Sequence, residues 1–191
     1  FHADTLGTND DYAVINSLAL QSDGKILAGG YLLRNFLPFY LLTRVNTNGG
    51  RDPIFSAAGG GAVVTSIALQ LDGKILAGGG YGVNGGWISR LNTNGSADNT
   101  FNAGAGANDF INSILLQSNG KILVAGSFTN FNGTNCNHMA RLNADGSLDT
   151  NFEGDGTVIA PIETTKWVAF SAAIQSDGKI VVAGRKGNVF N

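Results

Sequence analysis

The chain repeats one segment four times, and this repetition constrains its fold more than any other feature of the sequence. In its third copy the segment reads Ser113-Ile-Leu-Leu-Gln-Ser-Asn-Gly-Lys-Ile-Leu-Val-Ala-Gly126. A second block, Arg-Val/Leu-Asn-Thr/Ala-Asn/Asp-Gly, follows the first three copies and leads to a phenylalanine. Two blocks recurring in phase indicate a repeat architecture. The copies lie near residues 17–29, 66–78, 113–126 and 171–184, and the second blocks run from Arg44, Arg90 and Arg141 to Phe55, Phe101 and Phe152.

Each copy of the segment is predicted to form a β-hairpin. An Asp-Gly or Asn-Gly pair stands between two apolar runs, and both residues of such a pair tolerate the positive φ that a two-residue hairpin turn requires. The runs, such as Ile122-Leu-Val, are nearly continuous, which is typical of strands covered on both faces. The pairs lie at residues 23–24, 72–73, 119–120 and 177–178.

The whole repeat unit predicts four short antiparallel strands. The third strand ends in the Arg-Leu-Asn block, and the fourth leads to the phenylalanine. Four-stranded units of about 40–50 residues, packed face to face, are the blades of a β-propeller. A parallel β-helix has shorter rungs, and a β-sandwich does not repeat its sequence. We therefore predict an all-β chain in which residues 1–191 form a single β-propeller domain, or a piece of a larger propeller, with about 3.7 repeats of roughly 48 residues.

Composition limits the classes of function. Charged residues make up only 14% of the chain and the net charge is −2, so a general basic surface for nucleic acid is absent. No apolar run approaches the roughly 20 residues of a membrane helix, and we predict no membrane insertion. The single cysteine, Cys136, excludes an internal disulfide framework and a multi-cysteine zinc site.

The repeated motifs resemble those of the delta-60 repeat β-propeller family. The resemblance rests on Gln-Ser-Asp-Gly-Lys-Ile-Leu-Ala-Gly-Gly at residues 21–30, on residues 139–152, and on the mid-repeat stretch at residues 126–133. It implies a bacterial protein that is extracellular or on the cell surface, often as one part of a larger surface protein. It carries no common catalytic residues over to this chain. An insertion around residues 153–166, which contains Pro161, departs from the family pattern.

The repeats begin and end out of phase with the blades. Phe1 stands where Phe55 stands in its repeat, and residue 191 follows the fourth hairpin before any further Arg-Leu-Asn block. We therefore expect the chain to be part of a ring of about five to eight blades, within a larger chain or assembly. The alternative is a four-bladed ring closed by the N-terminal segment.

A calcium loop is the first candidate site, formed by Asn143, Asp145 and Asp149. Calcium prefers six to eight oxygen ligands, and an EF-hand loop needs a carboxylate at its first position and a glutamate at its twelfth. Aligned on its glycine, this block has Arg141 and Phe152 at those positions. The pattern favours an Asx-turn hairpin, in which the side chain bonds the backbone two residues on. We predict no cofactor, with calcium as the alternative.

Other polar residues offer little chemistry. Cys136 and His138 lie two apart, but His138 has the register of Leu41 and Trp87, which predicts an ordinary strand position. Metal binding or Cys-His catalysis needs more ligands or an orienting base.

The hairpin lysines and the block arginines recur in each repeat, so we expect them to cap their own blades through turn carbonyls. The alternative is a basic ring that binds an anionic glycan.

Aromatic and amide side chains form the second candidate site. Aromatic rings stack on sugars, and asparagine amides bond sugar hydroxyls. The alternative role for these aromatic rings is packing between blades, so their exposure distinguishes a binding surface from a scaffold. The candidate ligand-binding residues are Trp87, Trp167, Asn130, Asn132 and Asn135.

The sequence favours a non-enzymatic scaffold or interaction module of a bacterial surface or secreted protein, with a protein or glycan as its partner. No Gly-x-Ser-x-Gly elbow, phosphate loop or His-Glu-x-x-His motif is present. One alternative is a lectin-like, glycan-binding adhesin module. A second is a hydrolase or lyase with carboxylates at the channel mouth, for which Glu153, Asp155 and Glu163 of the insertion are available.

Overall fold

The computed structural model describes residues 12–34, 37–58, 63–80, 85–152 and 167–186, and this part of the chain forms thirteen strands. Phe1, His2 and the insertion at residues 153–166 lie outside the described residues. The strands are β1 (Tyr12–Leu20), β2 (Ile26–Arg34), β3 (Leu37–Val45), β4 (Val63–Leu69), β5 (Ile75–Gly80), β6 (Gly86–Leu91), β7 (Ile111–Leu116), β8 (Ile122–Gly126), β9 (Asn130–Phe131), β10 (Thr134–Asn135), β11 (Met139–Leu142), β12 (Trp167–Ile174) and β13 (Ile180–Lys186). No described segment is a helix long and apolar enough to cross a membrane.

The strands form antiparallel sheets that follow one another along the chain. Three sheets have three strands each, in the orders β1–β2–β3, β4–β5–β6 and β7–β8–β11. A fourth sheet pairs β12 with β13, and β9 pairs with β10 in a short separate hairpin. The first strands β1, β4, β7 and β12 pack side by side in chain order, as the inner strands of propeller blades do. The all-β, propeller-like architecture is therefore confirmed.

The predicted four-stranded blade is not confirmed, because each sheet of the described residues has two or three strands. After β6 the chain turns and makes a single bridge, between Leu91 and Ala97. The Asp98 carboxylate then accepts hydrogen bonds from the backbone N–H and the hydroxyl of Thr100. This Asx turn curls the chain where a fourth strand was expected to extend it.

The hairpin turns are longer than predicted. Five residues separate β1 from β2, and the N–H of Gln21 donates to the Lys25 carbonyl at 2.8 Å. Only the glycine of each pair has positive φ, for example 80° at Gly24, whereas the described residue before it does not. The side chain of Asp23 explains the difference, because its Oδ1 accepts the N–H of Lys25 at 3.1 Å and stabilises a type I turn followed by a left-handed glycine.

Apolar cores lie between successive sheets. The middle strands β5 and β8 are buried along their whole length, which confirms for these two strands that both faces are covered. The prediction was wrong for the first and fourth hairpins, where Leu18 is 64% and Val181 is 50% exposed. Alternate residues of a strand face opposite neighbours. Thus Ile75 packs toward the first sheet, in a cluster with Leu27, while Leu76 packs toward the third sheet, in a cluster with Ile122. A third cluster joins Leu123 to Ile180 of the fourth sheet.

Candidate functional site

Each of the first three repeats carries a buried Lys–Asp–Arg cluster. In the third repeat, Asp149 Oδ2 accepts hydrogen bonds from Lys121 Nζ and Arg141 Nε, both at 2.6 Å. The aspartate is 6% exposed, so its charge depends on these partners rather than on water. The same contacts join Asp52 to Lys25 at 3.1 Å and Arg44 at 2.9 Å, and Asp98 to Lys74 at 2.9 Å and Arg90 at 2.7 Å.

The arginine of each cluster also lies over a phenylalanine ring. The Arg141 guanidinium carbon is 4.7 Å from the centroid of Phe152, within the range of a cation–π contact. This stacking explains why the Arg-Leu-Asn block and the phenylalanine recur at fixed spacing. The equivalent distances are 4.7 Å for Arg44 over Phe55 and 5.0 Å for Arg90 over Phe101.

The clusters keep their carboxylates ionised. The backbone N–H of Ile54 lowers the pKa of Asp52 to about 2, with help from its lysine and arginine and against the opposing effect of desolvation. The Lys121 ammonium is the main group that lowers the pKa of Asp149 to about 2. A carboxylate of this kind cannot donate a proton near neutral pH, so neither aspartate is suited to general acid catalysis.

The calcium candidate folds as a set of turns. Asp145 Oδ1 accepts hydrogen bonds from the hydroxyl of Ser147 at 2.7 Å and from its backbone N–H at 2.9 Å, and these bonds lower the pKa of Asp145. The Asn143 amide donates to the same hydroxyl at 3.0 Å, and Asp149 is already paired. Among the described residues, no three His, Cys, Asp or Glu side chains are grouped to hold a metal ion. These contacts favour the Asx-turn interpretation.

The repeated cations have structural contacts, but their partners differ from the predicted ones. The lysine reaches an aspartate rather than a turn carbonyl. Arginine does reach a carbonyl, but one in the next repeat: Arg44 Nη1 donates to Thr93 at 2.5 Å, and Arg90 Nη1 donates to Ala144 at 2.6 Å. Because a guanidinium group has several N–H donors, one arginine can donate to the aspartate and to the carbonyl at the same time. The arginines therefore connect successive repeats.

The candidate asparagines divide into two groups. Asn132 Oδ1 accepts the N–H of Gly106 at 3.0 Å, and its amide donates to the Ala103 carbonyl at 2.8 Å. Asn130 Oδ1 accepts the N–H of Gly133 at 2.8 Å. Both side chains thus hold the β9–β10 hairpin and its neighbouring loop in place. Asn135 lies in the exposed strand β10.

Of the candidate tryptophans, Trp87 lies between the first two sheets. Its ring centroid is 5.6 Å from that of Tyr40, and burial raises the pKa of Tyr40 above its usual range. The Tyr40 hydroxyl and the Trp87 indole N–H are buried without a hydrogen-bond partner in the described structure. Tyr40 also lines a cleft of about 300 Å³ with Arg51 and Phe55. For Trp167 the structure describes only its place in β12.

Cys136 and His138 are both buried. The Gly126 N–H donates to the His138 carbonyl at 3.0 Å, which is consistent with the register predicted from Trp87. However, His138 precedes β11 and has a φ of 64°. The prediction of an ordinary strand position was wrong, because the β9–β10 hairpin makes the chain turn sharply before it enters β11.

Sequence reasoning missed a polar ladder that joins the first strands. A β-bulge precedes a serine in β1, β4 and β7. Ser17 Oγ accepts the N–H of Ile67 at 3.1 Å, and the bulged residue Asn16 donates to the Val64 carbonyl at 2.9 Å. The sequence feature that could have revealed this ladder is the serine that begins every copy of the repeated segment. The ladder continues from Ser66 to Ile114, from Ser113 to Ala172, from Thr65 to Ile111 and from Asn112 to Ala169.

A family model described as a domain of unknown function (DUF5122) beta-propeller matches residues 21–55, 70–101 and 117–152. No protein with a curated function matches the chain. The matched ranges begin at the hairpin turns and end at Phe55, Phe101 and Phe152, so each range contains one complete Lys–Asp–Arg cluster.

Solved structures share the fold at low identity. The WD40 beta propeller domain of Doa1 superposes with a TM-score of 0.58 at 18% identity, over 90% of this chain and 48% of that one. A protein of unknown function from Bacteroides caccae gives 0.50 at 16% identity, over 90% and 53%. The extracellular domain of BT4673 from B. thetaiotaomicron gives 0.50 at 17% identity, over 89% and 20%. The chain thus spans about half or less of the length of each of these three proteins.

Proposed function

The chain belongs to the DUF5122 beta-propeller family, and we propose that it is a non-enzymatic scaffold and interaction module of a secreted or surface-exposed bacterial protein. In this proposal the sheets form a rigid support and the connecting loops contact a protein partner. The resemblance to delta-60 repeat proteins supports the bacterial, exported setting, as does the fold shared with an extracellular domain from B. thetaiotaomicron.

The position of the aromatic side chains carries this proposal. Phe55, Phe131 and Phe152 are buried, and Trp87 is half-buried against Tyr40. Phe39 and Phe170 are about half exposed, but they belong to the first and the fourth sheet and so do not share one sheet face. A sugar-stacking surface needs exposed aromatic faces, whereas rings packed between sheets contribute rigidity. The Lys–Asp–Arg clusters add to this rigidity, since each connects a hairpin turn to a later strand and its turn.

The clusters themselves do not supply the acid that the hydrolase or lyase alternative requires, and the carboxylates named for it, Glu153, Asp155 and Glu163, lie outside the described residues. Asp52 and Asp149 are ionised and doubly paired. A carboxylate pair that catalyses hydrolysis needs one member kept protonated by a raised pKa, and the pKa of each of these aspartates is lowered. We therefore propose that the carboxylates of the repeats stabilise the fold and do not catalyse.

A glycan array, probed with the purified chain with and without calcium, tests the proposal. A scaffold that binds proteins leaves the array blank in both conditions while circular dichroism shows a folded protein. Reproducible binding would overturn it in favour of a lectin if Asn135→Ala abolishes the signal and Asn99→Ala, at another exposed asparagine, does not. If that binding required calcium, the turn around Asp145 would again be a candidate metal site.

Glycan binding is the second candidate function, and one observation favours it. The unpartnered Tyr40 hydroxyl and Trp87 indole N–H lie together beside the cleft lined by Arg51. Buried polar groups of this kind are costly unless a ligand or water bonds them. Under this alternative, Tyr40→Phe removes array binding without destabilising the protein, because the substitution takes away only an unpaired hydroxyl.

A further inference from the structure

The cleft beside β3 is lined by residues from this strand and from the segment that follows it. The strand contributes Tyr40 and Leu42, and the following segment contributes Arg51, Phe55 and Ser56. Leu42 and Phe55 also belong to the apolar core between the first and second sheets, so both sheets that border the cleft are part of the described structure. Its volume of about 300 Å³ is enough to hold a side chain or a small ligand.

Two of the lining residues, Tyr40 and Arg51, depart from the pattern of the repeats. The second and third repeats keep the Lys–Asp–Arg cluster and the stacked phenylalanine without a tyrosine or an arginine at these positions. The blade therefore does not need either side chain for its fold, and binding gives both of them a role. The equivalent residues, counted from the block arginines, are Gly86 and Asn137 for Tyr40, and Ala97 and Leu148 for Arg51.

Three hydrogen-bond donors at the cleft have no acceptor in the described structure. The Tyr40 hydroxyl and the Trp87 indole N–H are buried without a partner, and their rings lie 5.6 Å apart. Arg51 is exposed, and its guanidinium has no hydrogen bond or ion pair with another described residue. The adjacent carboxylate, Asp52, is already paired with its own lysine and arginine. Donors and positive charge without an acceptor are complementary to a carboxylate.

We infer that this cleft binds a carboxylate of the protein partner, with Arg51 pairing it at the opening and the Tyr40 hydroxyl donating to it further in. The inference rests on the protein-binding function proposed above and names the chemistry of that contact. A sugar would stack on an exposed aromatic face, but Phe55 is only 3% exposed and Tyr40 packs on Trp87. The other lining side chains are mostly aliphatic and suit the carbon atoms of an acidic residue and its neighbours; they include Leu32, Leu41, Leu42 and Ala57.

Heteronuclear NMR spectra of the chain test the inference, because each of its two tryptophans gives one indole N–H signal. The probe is the blocked peptide acetyl-Gly-Leu-Glu-Leu-Gly-amide at millimolar concentration. It should shift the indole signal of Trp87 and leave the signal of Trp167, in the fourth sheet, unchanged. The same blocked peptide with glutamine in place of glutamate should shift neither signal, because it has no charge to pair with Arg51.

Two further probes identify the source of the carboxylate. The glutamine peptide with a free C-terminus presents a terminal carboxylate, so a Trp87 shift with this probe or with the glutamate peptide supports the inference and shows which carboxylate is preferred. Glucuronate presents the same group on a sugar. A shift with glucuronate alone overturns the inference and favours the glycan alternative. No shift with any probe also overturns it, while binding of proteins through other loops would still stand and is tested separately by the glycan array.

Substitutions test whether the contact involves the named residues. Arg51→Ala should weaken binding of the glutamate peptide about tenfold, because it removes the charged hydrogen bonds, and the second repeat folds with Ala97 at this position. Arg185→Ala, at an exposed arginine of the fourth sheet, is the matched control and should leave binding unchanged. Tyr40→Phe should weaken binding while the rest of the spectrum shows an intact fold. Unchanged affinity in both Arg51→Ala and Tyr40→Phe would overturn the inference.

Discussion

Arg141 donates a hydrogen bond from Nε to the Asp149 carboxylate at 2.6 Å. The two residues stand on either side of an Asn-Ala-Asp-Gly turn, and the arginine also covers the ring of Phe152. The contact thus holds the turn, the end of β11 and the buried phenylalanine together. The same arrangement occurs in three repeats, so it is a recurring polar contact of the described fold.

Replacing Asp149 should destabilise the protein more than replacing a nearby exposed aspartate. Asp149→Asn removes the charge that balances Lys121 and Arg141 at a buried position, and an unbalanced buried charge is costly. Asp145→Asn, which changes only an exposed turn, is the control. Urea unfolding should show a clearly lower midpoint for Asp149→Asn and a small change for the control. Equal midpoints would mean that the cluster adds no stability.

Stability should decrease in acid over a defined range. Asp52 and Asp149 each have a folded pKa of about 2 against an ordinary value of 3.8. Because the folded state binds these protons less readily, their contribution is fully present above about pH 4 and is lost as the pH falls toward about 2. Urea midpoints measured across that range should fall steeply. The decrease should be shallower in the Asp52→Asn, Asp149→Asn double variant, and an unchanged slope would exclude these carboxylates as the cause.

The local part of the fold was predictable because its determinants are close together in sequence. An Asp-Gly or Asn-Gly pair between two apolar runs predicts a hairpin, and the structure has a hairpin at each such pair, including those that end in Gly120 and Gly178. The turn type was not predictable from the Asp-Gly pair alone. The turn type depends on whether the Asp23 side chain accepts the N–H of Lys25. With this bond Asp23 keeps a negative φ, whereas a two-residue turn would require a positive φ at both residues of the pair.

The contacts of the candidate site were less predictable, because they join distant residues. Lys121 reaches Asp149 across 28 residues, and no local pattern pairs them. The internal role of Asn132 depends on its distance from Gly106, which is set by how the β9–β10 hairpin packs. The recurrence of lysine, arginine and aspartate in each repeat indicated a structural role but did not identify the partners.

Two glycines should respond differently to alanine substitution. Gly120 has a φ of 81° and open space where a Cβ would be placed, so Gly120→Ala should cost only about 1–2 kcal/mol for the left-handed backbone. A Cβ on Gly126 would lie 1.9 Å from the Phe110 carbonyl oxygen. Gly126→Ala should therefore prevent folding or displace β7 from β8. Thermal unfolding distinguishes them, and similar melting temperatures would contradict the close approach of these strands.

The serine ladder should contribute measurably to stability. Ser66→Ala leaves the Ile114 N–H without its acceptor, which should cost about 1–3 kcal/mol for an unsatisfied buried donor. Ser22→Ala is the control, since Ser22 is exposed in a hairpin turn and should change stability by less than about 0.5 kcal/mol. Chemical denaturation provides both values. If Ser66→Ala is neutral, water replaces the hydroxyl and the ladder does not hold the sheets together.

Alanine substitutions at Asn132 and Asn135 should have different effects, because Asn132 holds a loop in place whereas the side chain of Asn135 is exposed and free to contact a ligand. Asn132→Ala removes bonds to Gly106 and Ala103 at a position with a φ of 50°, which alanine tolerates less well than asparagine. It should cost about 1–3 kcal/mol and speed hydrogen exchange at the Gly106 amide. Asn135→Ala, in the exposed strand β10, should do neither. Loss of glycan binding in Asn132→Ala with unchanged stability and exchange would contradict the structural role and identify a ligand contact instead.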